Sequence, residues 1–215
     1  MKKPSLLSLI AAFACVALYA QTPDYRFGKV SAEELRMTSY DKDPDAAAVY
    51  LYEENSLFYQ IDREIGLTSD YRARIKILKS DGTDQANVSI PYTDEYSVRE
   101  SVFGIDAVAY NLVDGKIVKT PLKKQYIFTE QVGENHKLVK FSIPEVREGT
   151  VIEYKFRKTS KNPTYIPSFR FQHDIPVARC HMQALIPEFF KFNLNLKGYI
   201  KVNIEDGSTN GSVGS

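Results

Sequence analysis

Tryptophan is absent from these 215 residues, and cysteine occurs only twice. Losing the largest flat ring weakens the case for a sugar-binding platform, because stacking on a sugar draws on broad aromatic faces. Charge of one sign is also missing: 28 Lys and Arg stand against 27 Asp and Glu, a formal net charge of +1. Without a basic excess there is no electrostatic footprint for nucleic acid or an anionic membrane. Helical periodicity is scarce, and no long apolar stripe recurs at helical spacing. What is present is a composition of 43% apolar and 26% charged residues, enough to bury a substantial core and too balanced for disorder.

The one long hydrophobic run reads as an address. Lys2 and Lys3 give a positive start, Leu6 to Leu18 is almost unbroken, and Ala20 before Gln21 offers a cleavage point. Residues 1–20 are thus expected to be a signal peptide, too short for a lasting membrane span. A large Leu18 sits three residues before the cut, where a small one is preferred. The competing lipoprotein reading rests on Cys15 preceded by Ala14, but Ala12 and Phe13 fit a lipidation motif poorly. After cleavage 195 residues remain, with 26 basic and 27 acidic side chains and a net charge of −1. Cys180 is then the only cysteine, so no intramolecular disulfide forms although the exported compartment would permit one. The expected location is the periplasm or cell envelope of a Gram-negative bacterium, or the medium.

Alternation of period two dominates the rest. Tyr71, Ala73, Ile75 and Ile77 alternate with Arg72, Arg74 and Lys76, which predicts a strand with one buried and one wet face. Ile152, Tyr154 and Phe156 alternate with Glu153, Lys155 and Arg157 in the same way. Phe190, Phe192, Leu194 and Leu196 against Lys191, Asn193 and Asn195 predict a further strand, and Ile200, Val202 and Ile204 another. Asp114-Gly115 between Tyr110–Val113 and Lys116–Lys119 is a two-residue hairpin signal, and Asp81-Gly82 marks a second turn. Five of the ten prolines follow isoleucine, at Pro91, Pro144, Pro167, Pro176 and Pro187, each reading as a strand end or edge. Ser31 with Glu34 forms a capping box for a short helix reaching about Met37, and Asp43-Pro44-Asp45 starts another turn into Ala46–Ala48. The expected organisation is an N-terminal segment at 21–42, a β-sandwich at 43–206 and a Gly/Ser-rich linker at 207–215, where a second domain would begin.

Seven phrases in one order carry a family resemblance: Arg74-Ile-Lys-Ile-Leu78, Ala86-Asn-Val-Ser-Ile-Pro-Tyr92, the stretch from Tyr110 to Thr120, Phe141-Ser-Ile-Pro-Glu-Val146, Gly149-Thr-Val-Ile-Glu-Tyr154, Phe171-Gln-His-Asp-Ile-Pro-Val177 and Ile186-Pro-Glu188. From about Asp43 to Tyr199 the chain resembles the bacterial domain of unknown function that precedes transglutaminase-like domains in exported proteins. The resemblance implies an all-β, immunoglobulin-like antiparallel sandwich, normally followed by a papain-like cysteine domain. The chain ends before such a domain, so that activity is not carried over to it.

Candidate chemistry is sparse. Cys180 and His181 lie near His173 and Asp174, but residues 180 and 181 of a strand point to opposite faces, and Cys180 shares parity with Met182, Ala184 and Ile186. That pattern describes an inert cysteine buried in a core strand. Zinc is disfavoured because Pro176 separates His173 from His181 and Cys180 faces away, while His136 sits in a polar loop. Glu53-Glu54 and Asp94-Glu95 read as solvated acids, and Lys155, Arg157, Lys158 and Lys161 as a solvent-facing strand and turn. No catalytic residue, metal ligand or cofactor is expected. Phe189 has the parity of Lys191, Asn193 and Asn195, and an apolar ring on a wet face points to a domain contact. The leading expectation is an exported non-catalytic module that accompanies or positions a transglutaminase-like domain. The alternative is an independent peptide- or glycan-binding module at the cell envelope, using a strand edge or Tyr-rich face.

Overall fold

The computed structural model describes residues 25–193, 195–198 and 203–205. The leader and its cleavage point, Leu194, Ile200, Val202 and the Gly/Ser-rich tail lie outside the described residues. The chain divides into two compact units between Leu185 and Ile186. The first contains α1 (Ala32–Arg36) and nine strands: β1 (Ala48–Ile61), β2 (Ile65–Ile77), β3 (Asn87–Thr93), β4 (Glu100–Val113), β5 (Lys116–Pro121), β6 (Ile127–Gln131), β7 (His136–Ser142), β8 (Val151–Ser160) and β9 (Cys180–Leu185).

Six strands form one sheet in the order β5-β4-β8-β2-β1-β9, and three form the other in the order β3-β7-β6. Every pairing is antiparallel except β1 with β9, which run parallel. Alternation explains the core between the sheets. Ala73, Ile75 and Ile77 of β2 and Ile152 and Tyr154 of β8 point inward and pack with Ile90 of β3 and Val139 and Phe141 of β7. Each large side chain removed from water in this way contributes about 1.5–3 kcal/mol. The architecture is therefore the expected β-sandwich with one short helix near the N-terminus.

Turn chemistry falls where it was expected. Asp114 and Gly115 take φ of 50° and 74° and close the β4–β5 hairpin. Asp81-Gly82 lies in a 3-10 segment, Ser80–Ala86, where a Cβ on Gly82 would come within 2.2 Å of the Ala47 carbonyl oxygen. Pro91 sits within β3, an edge strand, so its missing N–H leaves no gap in a two-sided ladder. Pro144 and Pro187 come just after β7 and β9.

The outer face of the six-stranded sheet departs from expectation. Arg74 and Lys76 were expected to be wet, yet they are 2% and 0% exposed. The cause is the segment Tyr25–Arg36, which lies over them. Leu35 packs with Val108, Tyr110 and Val151 on that face, joined by Phe27 and Val30. The capping box forms as expected: Glu34 N–H donates to Ser31 Oγ at 3.1 Å, and Ser31 N–H donates to Glu34 Oε2 at 2.6 Å. Glu34 then spends its other oxygen on Arg74 Nη1 at 2.7 Å. Arg74 Nε donates to Glu153 Oε1 at 2.8 Å, while Glu153 Oε2 accepts from Tyr110 Oη and Gly28 N–H, each at 2.8 Å. Lys76 Nζ donates to the carbonyls of Leu35 at 2.7 Å and Gly149 at 2.6 Å. Charged residues on a strand's second face thus acquire partners from a strap of chain instead of from water.

Two further expectations are corrected. Asp43-Pro44-Asp45 makes a turn, with Ala46 N–H donating to the Asp43 carbonyl at 3.2 Å, but it leads into β1 and not into helix. The stretch 188–196 forms no strand among its described residues. Pro187 opens a turn closed by Phe190 N–H on the Pro187 carbonyl at 3.0 Å, and Phe192 and Leu196 are exposed. Alternation needs a neighbouring ladder to become a strand, and these residues have none. Ile204 is likewise exposed and outside any strand.

Candidate functional site

A bulge in β1 creates the first of two polar constellations. Between Tyr50 and Tyr52 the pairing with β2 slips by one residue, so Leu51 has no partner and Glu53 pairs with Ala73. The slip brings Glu53 into phase with Tyr50, turning its carboxylate toward the core side. Glu53 is 1% exposed. Its Oε1 accepts from Tyr71 Oη at 2.7 Å, and its Oε2 accepts from His173 Nε2 at 2.8 Å and from Cys180 Sγ at 3.4 Å. The His173 ring lies 4.7 Å from that of Tyr50. The backbone brings these groups together: Tyr50 N–H donates to the Pro176 carbonyl, Ala178 N–H to the Tyr50 carbonyl and Glu53 N–H to the Arg179 carbonyl, guiding β9 onto β1.

Electrostatics here favour protonated neighbours. Burial, followed by the Glu53 charge, pushes the Cys180 thiol up to about 12. Burial and the mutual proximity of Tyr50, Tyr71 and Tyr154 hold these phenols above the ordinary tyrosine range. A nucleophilic thiol needs an imidazole between itself and the acid. In this cluster the carboxylate stands between imidazole and thiol, so His173 Nε2 is committed to Glu53. Among the described residues no group of three or more His, Cys, Asp and Glu is arranged to hold a metal ion.

The residues singled out in the sequence separate as follows. Cys180 is half-buried on an edge strand, which corrects the reading of a cysteine buried in a core strand. His173 reaches it indirectly through Glu53. His181 points to the other face, with Nδ1 3.5 Å from Glu54 Oε1, as strand alternation requires. Asp174 and His136 are exposed. Asp94 and Glu95 are exposed, with Asp94 paired to Lys137, whereas Glu53 is no solvated acid. Phe189 is 62% exposed, in the second unit, with its ring 4.9 Å from that of Phe190.

The second constellation lies on the outer face beyond the strap. An open cleft of about 620 Å3 runs over β1, β2, β8 and the start of β4, bounded by Phe27 and Phe103. Arg72 of β2 and Lys155 of β8 are direct cross-strand partners. Arg72 Nε pairs with Glu54, Arg157 grips Asp70 through two bonds of 2.5 Å, and Lys155 Nζ stands 3.8 Å from Asp106. Lys155 also lies 4.6 Å from the Phe27 ring centre. The period-two pattern located Lys155 and Arg157. It missed Phe27 and Phe103, since nothing in the sequence ties the strap or the β4 bulge between Phe103 and Asp106 to this surface.

Residues 66–212 match the profile of DUF3857, a domain of unknown function with a solved structure. The chain belongs to this family. No curated protein matches it. The crystal structure of a "putative protease" from Parabacteroides distasonis is similar over 62% of this chain, at 16% identity and a TM-score of 0.47. Native yeast LTA4 hydrolase is similar over 60%, at 14% identity and a TM-score of 0.27. The chain spans 28% and 18% of the lengths of those two proteins, and neither assigns it an activity.

Proposed function

We propose that this DUF3857 chain is a non-catalytic β-sandwich module of an exported protein, and that it positions a transglutaminase-like domain. The observation that supports this reading is the state of Cys180. It is the only cysteine in residues 21–215, and Glu53 beside it favours the thiol over the thiolate at neutral pH. His173, the nearby base, spends its Nε2 on the same carboxylate. The Lys2-Lys3 start and Leu6–Leu18 run support export.

A second reading, an independent binding module at the envelope, is supported by the open outer-face cleft. The two readings share a non-catalytic sandwich and differ in what it holds. Cys180→Ala, assayed for acyl transfer and peptide hydrolysis in the full chain and in a protein carrying a following transglutaminase-like domain, tests the shared part. Turnover should be unchanged by the substitution. Abolished turnover with the fold retained would contradict it.

A further inference from the structure

We propose that the outer-face cleft binds a peptide segment carrying a single carboxylate flanked by an apolar side chain. This goes beyond the positioning role, and it stands whichever domain accompanies the module. Three cations, Arg72, Lys155 and Arg157, line the cleft. Arg72 and Lys155 are directly opposite across β2 and β8. Like charges in that relation repel, and an anion between them relieves the repulsion. Lys155 is the least satisfied of the three, since its carboxylate neighbour Asp106 is 3.8 Å away.

The surroundings select the class of anion. Each cation has a carboxylate beside it, Glu54, Asp70 or Asp106, so a polyanion such as nucleic acid would meet repulsion from all three, whereas one isolated carboxylate adds a single charge between Arg72 and Lys155. Phe27 and Phe103 stand at the cleft's boundary, and Phe103 is 48% exposed. Phe103 offers apolar contact to the residue beside the carboxylate. A neutral glycan is a poorer fit, because the Phe27 face that could stack on a sugar already carries Lys155. The strap builds this site as well as covering the sheet, since Phe27 belongs to it.

The test uses the full chain and a fluorescent, C-terminally amidated octapeptide with one Glu beside one Phe among Gly and Ser, with the same peptide carrying Gln for Glu as its neutral control. Anisotropy should show saturable binding that weakens about tenfold or more for the Gln peptide. Binding should also weaken as salt rises from roughly 0.05 to 0.5 M, because screening shortens the reach of exposed charges. Lys155→Gln and Phe103→Ala should each reduce affinity about fivefold or more. Lys155→Arg should retain it, and Lys140→Gln, on the other sheet, should leave it unchanged. Circular dichroism confirms that each variant is folded. Equal binding of the Glu and Gln peptides, absence of saturable binding, indifference to Lys155→Gln, or capture of a neutral oligosaccharide in place of the peptide would each overturn the proposal. None of these outcomes bears on Cys180, whose role is read separately by turnover and labelling.

Discussion

In its buried position Lys76 donates to two carbonyl oxygens and, among the described residues, pairs with no carboxylate, and burial lowers its ammonium to about 8. An unfolded chain holds the same group near 10.5. Above pH 8 unfolding therefore takes up a proton, so raising the pH disfavours unfolding and stability climbs. Between pH 8 and 9 the gain should be roughly 1 kcal/mol, and Lys76→Met should abolish it. Above pH 9 the climb is opposed by Cys180 and the buried tyrosines, because unfolding releases protons that the folded protein holds, and the profile turns over as Lys76 nears its unfolded value. Urea titrations from pH 7 to 10 would show both limbs, and a flat profile up to pH 9 would contradict the account of Lys76. Glu153 makes a different demand. It answers Arg74, Tyr110 and Gly28 at once. Glu153→Ala should destabilise by about 3–5 kcal/mol by leaving a buried guanidinium short of its partner. Lys155→Ala, on the same strand but half-buried with its ammonium 3.8 Å from Asp106, should cost less, about 1 kcal/mol or below.

The strap from Tyr25 to Arg36 is the element that turns a half-wet sheet into one covered over part of its second face. Its helix is too short to persist alone. It depends on the capping box and on the Glu34–Arg74 and Lys76–Leu35 bonds. Ser31→Ala should cost about 1 kcal/mol and hasten proteolysis within residues 25–36 before the sandwich itself unfolds. Simultaneous loss of strap and core signals would contradict that order. At this scale much was legible. The alternation of β2 and β8, the Asp114-Gly115 hairpin and the Ser31–Glu34 cap each depend on neighbours a few residues apart, which a sequence displays. The covering of Arg74 was hidden because its cover comes from 40 residues away. Glu53 was hidden because a bulge changed its parity, and bulges leave no mark in the run from Ala48 to Ile61. Residues 188–196 failed for the converse reason: their pattern is that of a strand, but the described residues among them pair with no ladder.

Across the whole molecule, chain order and sheet order diverge, and the divergence places the chemistry. β8 enters between β2 and β4, setting Glu153 beside Arg74 and Lys155 beside Arg72. The long return from β8 to β9 brings His173 and Cys180 to the carboxylate of Glu53. One side of the sheet thus carries a saturated, internally bonded cluster and the other an open, charged cleft. Binding at the cleft and a structural role for the cluster are the proposed division. Native-state thiol labelling of Cys180 at pH 8 tests that division most directly. The predicted result is modification far slower than in urea-unfolded protein, with Glu53→Gln leaving the native rate below the unfolded one. A native rate equal to or above the unfolded rate would show an activated thiolate at Glu53 and contradict the non-catalytic reading.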